Sequence, residues 1–153
     1  MAKINADIEL MRVAIMEAHK SRELNEVPVG AIIVLNGEII AKSSNKPILQ
    51  NDPTSHAEIN SIRIAAKFLR NYRLTGATLY STLEPCAMCY GAIVHARISK
   101  LVFGAFDSKK GVCGSSIKLH EQNCFNHAPE IVGGVLEEEC SLILKNFFKK
   151  RRN

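Results

Sequence analysis

A chain of 153 residues, 46% hydrophobic and 23% charged, has the length and composition of a single globular domain with a proper core. Its first residues, Met1-Ala2-Lys3-Ile4-Asn5-Ala6-Asp7, lack the apolar segment of a secretory signal, and no apolar run reaches membrane-spanning length, so a cytoplasmic protein with no membrane partner is expected. A net charge of +5 admits a polyanionic partner without requiring one, and five cysteines fit a reducing compartment and a metal site better than paired disulfides.

From about Asn5 to Leu24, apolar Ile8, Met11, Ala14, Ile15 and Ala18 recur with helical spacing. Val29 to Leu35 is a continuous apolar run, as in a strand buried on both faces. Asn36-Gly37 is a hairpin dipeptide, and Glu38 to Ala41 reads as the returning strand. Asn45 to Pro53, with two prolines, reads as a loop, followed by a helix from about Ser55 to Leu69. A strand is expected over Thr78 to Thr82, a helix from Cys86 to about His95 and a strand over Lys100 to Ala105. A glycine-punctuated loop from Gly104 to Gly114 leads on to a short strand at Glu130 to Val132. The last helix, about Leu136 to Lys150, would face inward through Cys140, Ile143, Leu144 and Phe147. Strands alternating with helices after an opening hairpin imply an α/β domain, with a mixed, mostly parallel sheet covered on both sides. There is no internal repeat, low-complexity tract or linker.

Two short segments carry chemistry: His56-Ala57-Glu58 and Pro85-Cys86-Ala87-Met88-Cys89. One histidine and two cysteines make three zinc-type ligands, the count that leaves a coordination place open for water. If Cys86 and Cys89 begin a helix, their i,i+3 offset puts both sulfurs on one side, and Pro85 suits that start. Free N–H groups there favour thiolate over thiol. His56 and Glu58, two apart, would not share a face of a regular helix, so at a helix start His56 takes the metal while Glu58 points across the pocket as acid and base. Competing readings exist for each part. The C-x-x-C alone would suit a redox pair, although no thioredoxin-like βαβ context is evident. His95, Cys113 or Cys124 would close a structural zinc site, and Glu58 would be an ordinary solvated residue. The joint occurrence of H-x-E and P-C-x-x-C outweighs all three, and it is recognised as the signature of zinc-dependent nucleobase deaminases. Cys113, Cys124 and Cys140 are then spare and expected to be buried as small hydrophobes.

Two further features stay open on the residues alone. The C-terminal helix runs from Glu137-Glu138-Glu139 to Phe147-Phe148-Lys149-Lys150-Arg151-Arg152, which suits both the helix macrodipole and an RNA contact. The Cys86 helix is apolar through Met88, Ala92, Ile93 and Val94, as in either a wholly buried helix or a two-fold interface.

Beyond the metal signature, Glu26-Val27-Pro28-Val29-Gly30-Ala31, Asn45-Lys46-Pro47-Ile48, Asn71-Tyr72-Arg73-Leu74, Thr82-Leu83-Glu84-Pro85-Cys86, Phe103-Gly104-Ala105 with Asp107 and Lys109, and Asn126-His127 resemble the bacterial tRNA-specific adenosine deaminases over nearly the whole chain. The resemblance implies a three-layer α/β/α cytidine-deaminase-like fold with a five-stranded mixed sheet. It also implies a homodimer with one Zn2+ per subunit and no organic cofactor, converting the wobble adenosine of an arginine tRNA (anticodon ACG) to inosine. By position, His56, Cys86 and Cys89 would bind zinc and Glu58 would shuttle protons. Asn45 would contact the flipped nucleotide, Asp107 and Lys109 would belong to the loop beside it, and Phe148 and Arg152 would meet the anticodon loop. The chain departs from the family pattern at Phe106 and at Val112-Cys113. A deaminase of free nucleosides or bases shares the metal motif but gains nothing from a basic aromatic C-terminal helix, and a zinc-stabilised RNA-binding module without catalysis is a third reading.

Overall fold

A computed structural model describes Ala2 to Arg152, with side chains described from Asn5 onward. Alternating side chains along the strands decide its layers. In β1 (Gly30–Leu35), Ile32 and Val34 face one way and Ile33 the other; in β3 (Thr78–Leu83) Tyr80 opposes Leu79, and in β4 (Lys100–Ala105) Val102 opposes Leu101 and Phe103. With period-2 alternation, both faces of the sheet are apolar and both must be covered. One face carries α1 (Ala2–Glu23) through Met11, Ala14 and Ile15, and α4 (Glu137–Arg152) through Cys140 and Ile143. The other carries α2 (Ala57–Leu69) through Ala65, and α3 (Ala87–His95) through Tyr90, Ile93 and Val94. The result is the expected three-layer α/β/α arrangement.

The sheet has five strands in the order β2-β1-β3-β4-β5, with β2 at Glu38–Ser44 and β5 at Glu130–Gly133. Two pairings are antiparallel (β1 with β2 and with β3) and two parallel (β3 with β4, β4 with β5), so the sheet is mixed but not mostly parallel. The reason is topological. β2 and β3 run the same way and α2 crosses between them, but the hairpin leaves β1 in the space between, opposed to both.

Asn36 and Gly37 take positive φ values of 51° and 80°, the backbone that lets a two-residue turn match strand twist. β2 runs three residues past the expected Ala41. Its polar end is buried: Ser43 and Ser44 are covered, and the Ser44 carbonyl accepts a 3.1 Å hydrogen bond from Asn60 Nδ2 of α2. Gly104 lets α4 lie against β4, since a Cβ there would stand 2.4 Å from Cys140 Sγ and 3.0 Å from the Thr82 carbonyl. In the central strand, Tyr80 Oη donates to Asp7 Oδ1 at 2.7 Å and ties α1 to β3. Among the described residues no helix is long and apolar enough to cross a membrane.

Candidate active site

His56 and Cys86 are the N-cap residues of α2 and α3, with extended backbone (φ −76°, ψ 155° and φ −79°, ψ 176°) and side chains that make no capping hydrogen bond. Pro85 therefore precedes the cap, where its missing N–H removes no helical bond. Cys89 follows one turn later and is fully buried. His56 Nδ1 lies 3.7 Å from Cys86 Sγ and 3.4 Å from Cys89 Sγ. Tetrahedral zinc bonds to nitrogen and sulfur place such donors about 3.5 Å apart, so both the donor set and its spacing fit that ion. The three donor atoms lie within 4.8 Å of one another, and His95, Cys113 and Cys124 stand outside the cluster, so among the described residues three side chains could hold a metal there.

The redox reading needs a different answer from the one expected, because β3, α3 and β4 do form a parallel βαβ unit with the C-x-x-C at its helix start. What sets that reading aside is the imidazole of His56 against both sulfurs. Cys113 and Cys140 are buried, but Cys124 is exposed, contrary to the expectation for all three spare thiols.

The electrostatics of the cluster suit metal ligation. A hydrogen bond from the Cys89 thiol draws Cys86 down to about 4 against the effect of burial, with His56 adding to the fall. Its partnership with Cys86, then burial, pushes Cys89 the other way, so the pair in isolation shares one thiolate. His56 is raised by its contact with Cys86. Glu58 is 4% exposed, and burial raises its carboxyl above the ordinary range while Cys89 and His56 oppose the rise. A carboxyl so placed holds a proton more readily than a solvated one.

These groups open onto a cleft of about 920 Å³. One wall is the loop after β2, with Asn45 and Pro47; the opposite wall is the loop after β4, with Phe106, Asp107, Ser108, Lys109 and Lys110; the last turns of α4 add Leu144, Phe148, Arg151 and Arg152. Every residue expected at the site from the sequence thus borders one cavity, except Cys89, which lies behind His56 and Cys86. Asn45 is buried and fixed through its backbone, its N–H donating to the Val29 carbonyl and its own carbonyl accepting from Ser21 Oγ, both at 3.0 Å. Asp107 also shapes its own loop, its Oδ1 accepting the N–H groups of Lys109 and Lys110 at 3.1 Å. Arg151 is likewise engaged, 4.7 Å above the Phe147 ring and donating to the Asn25 carbonyl at 2.7 Å.

Lys110 and Glu84 were not legible as site residues. Lys110 follows Lys109 in an unremarkable basic pair, and only the turn capped by Asp107 brings it to the cleft. Glu84 directly precedes Pro85-Cys86, its one visible signal, and is buried.

With this geometry established, comparison with known proteins is direct. The model of the MafB19-like deaminase family matches residues 5–152. The chain is 51% identical over 142 residues to the tRNA-specific adenosine deaminase of Bacillus subtilis strain 168, covering 93% of this chain and 88% of that one. It is 49% identical over 154 residues to the protein of that name from Haemophilus influenzae, covering 99% and 89%. A solved structure from work on A-to-I editing by tRNA:A34 deaminases superposes with a TM-score of 0.87 at 46% identity, covering 89% of this chain and 99% of that one. The three-layer, five-stranded architecture is accordingly the cytidine-deaminase-like fold. Sharing fold, near-complete coverage and about half its residues with these proteins, the chain belongs to the tRNA-specific adenosine deaminase family.

Proposed function

We propose that this protein is a zinc-dependent hydrolase that deaminates the wobble adenosine of an arginine tRNA (anticodon ACG) to inosine, releasing ammonia, in the cytoplasm. The observation that carries this reading is one cleft in which a three-ligand metal cluster and a buried glutamate meet the basic, aromatic tip of α4. His56, Cys86 and Cys89 would hold a zinc ion, which would supply the Lewis acidity that makes water nucleophilic near neutral pH. Glu58 takes a proton from the attacking water and delivers it to N1 of adenine as the C6–O bond forms. The same carboxylate then takes the remaining proton from the new C6 hydroxyl and passes it to the amino group as the C6–N bond breaks, so adenosine and water become inosine and ammonia.

Substrate binding falls to the walls. Extruding a base from a stacked loop costs a few kcal/mol, which contacts to the RNA must offset. Phe148, 43% exposed at the cleft, offers a ring for stacking, and Arg152 and Lys109 offer charge to phosphates. Asn45, whose side-chain amide has no hydrogen bond among the described residues, offers a donor and an acceptor to the extruded nucleotide.

The protein acts as a homodimer in this reading. Ile93 and Val94 of α3 are committed to the core, so they leave the interface to others. Ile64 and Phe68 on α2 and Tyr72 just beyond it are 43%, 67% and 71% exposed, an apolar face suited to a second copy.

The deciding experiment incubates zinc-loaded protein with an anticodon stem-loop containing ACG, with free adenosine and with free cytidine. Inosine in the stem-loop alone is the expected result. Turnover of the free nucleosides at equal efficiency would favour a small-molecule deaminase, and binding without turnover an RNA-binding module.

A further inference from the structure

The two loops that wall the cleft share a device. Glu26, in the turn between α1 and β1, and Glu84, at the end of β3, are 1% and 2% exposed, and neither has an ion-pair partner among the described residues. A buried carboxylate without a cation must be satisfied by other donors. In both cases most of those donors are backbone N–H groups of the loop that forms a cleft wall. Glu26 Oε1 accepts from Ile48 N at 3.2 Å and Oε2 from Leu49 N at 2.8 Å. Glu84 Oε1 accepts from Asp107 N at 3.1 Å and from Ser115 Oγ, and Oε2 accepts from Cys113 N at 3.0 Å and Ser115 N at 3.1 Å.

The Glu84 loop is wrapped closely. The Cβ missing from Gly111 would stand 2.3 Å from Glu84 Cδ and 2.5 Å from Oε2. Val112 N also donates to the Pro85 carbonyl at 3.1 Å, and Glu84 N to the Ala105 carbonyl at 2.8 Å. Glu84 borders the cleft, but both its oxygens are taken by the loop. Glu26 has its own anchor, its N–H donating to the Ser21 carbonyl at 2.9 Å beside the Ser21–Asn45 hydrogen bond.

We propose that Glu26 and Glu84 are positioning residues, a matched pair of carboxylate clamps that hold the two substrate-binding loops at a fixed separation across the cleft. Glu26 fixes the wall carrying Asn45 and Pro47, and Glu84 the wall carrying Phe106 to Lys110. The inference rests on the proposed RNA substrate, because a cleft held open in advance lowers the ordering cost of receiving an extruded nucleotide. It adds that substrate affinity is set by two residues that need not touch the substrate.

The test uses full-length, zinc-loaded protein with Glu26→Gln, Glu84→Gln and the double substitution. Glutamine keeps the shape but turns one acceptor into a donor facing an N–H group. Metal content, amide hydrogen exchange without substrate, and kcat and KM on the stem-loop are measured. Glu26→Gln is expected to speed exchange at Ile48 and Leu49, and Glu84→Gln at Asp107, Cys113 and Ser115, by about tenfold or more in each case. Zinc stays at the unaltered level, KM rises about tenfold in each single variant, kcat changes less than about threefold, and the KM factors multiply in the double variant. If Glu84→Gln fails to fold, Ser115→Ala, which removes one donor and leaves the carboxylate, is expected to show the same KM-only effect at about two- to fivefold. Unchanged exchange in the loop facing the altered glutamate, or opened loops with unchanged KM, would overturn the clamps. So would loss of zinc and kcat together in a variant that still folds, the mark of a role at the metal site and not in the loops. Absence of stem-loop turnover by the unaltered protein would remove the functional reading alone, with the exchange result still deciding whether the clamps exist.

Discussion

Glu58 lies two residues beyond His56 and is buried without being a member of the His56-Cys86-Cys89 cluster, so removing its carboxylate and removing a metal from that cluster are separable changes. Glu58→Gln is expected to keep zinc, measured by metal analysis, while inosine formation falls about a hundredfold to ten-thousandfold. Near-native turnover in that variant would hand the proton shuttle to another residue. The thiols separate just as cleanly. Burial pushes Cys113 and Cys140 up to about 12, so neither forms thiolate at neutral pH, whereas Cys124 is exposed. Alkylation of the zinc-loaded protein followed by peptide mapping should therefore mark Cys124 alone. A chelator should add Cys86 next, since without metal its thiol sits at about 4. Labelling of Cys113 or Cys140 before Cys86 would contradict this order. At this scale the chemistry was legible because ligation needs particular residue types at fixed spacing. The clamps were hidden because Glu26 and Glu84 look, in sequence, like any solvated glutamate.

Among the elements, α4 has two jobs at its two ends. Near its start, Cys140 sits over Gly104; at its end, Phe148 and Arg152 border the cleft. Gly104→Ala is expected to overpack that crossing and cost about 1–3 kcal/mol, read as a fall of several degrees in Tm. Adding Cys140→Ala, which removes the nearest atom, should restore most of the loss; no recovery would mean that the Thr82 carbonyl sets the limit. At the other end, Phe148→Ala with Arg152→Ala is expected to raise KM for the stem-loop about 5- to 100-fold and to reduce its salt dependence by about one phosphate contact. Arg151 is left intact there because it braces the helix on Phe147 and Asn25, so its loss would confuse packing with recognition. Unaltered kinetics at more than one salt concentration would make the tip a solvated helix end. The sequence pattern locates all four α-helices and five strands, with ends displaced by up to three residues. The extension of β2 through Ser43 and Ser44 is such a case: two serines carry no strand signal until Asn60 is seen beneath them.

For the molecule as a whole, the proposed pairing of two copies is the reading most simply tested. Sedimentation at micromolar concentration is expected to give twice the 16.9 kDa of one chain, and Phe68→Asp with Tyr72→Asp to give a single copy. A lone 16.9 kDa species for the unaltered protein would refute the pairing. The mixed sheet was only half legible, because adjacency of strands is a three-dimensional property: nothing between Ser44 and Thr78 states that β1 will lie between β2 and β3. That same adjacency has a consequence in time. Cys86 and Cys89 belong to the unit β3-α3-β4, which is contiguous in the chain and able to form early. His56 belongs to the other half, which joins only when Ala31 pairs with Ser81 and Val34 with Thr78 across the middle of the sheet. Contacts of such long sequence separation form slowly. The donor set is therefore complete only once the two halves of the chain have met in register across the β1–β3 pairing.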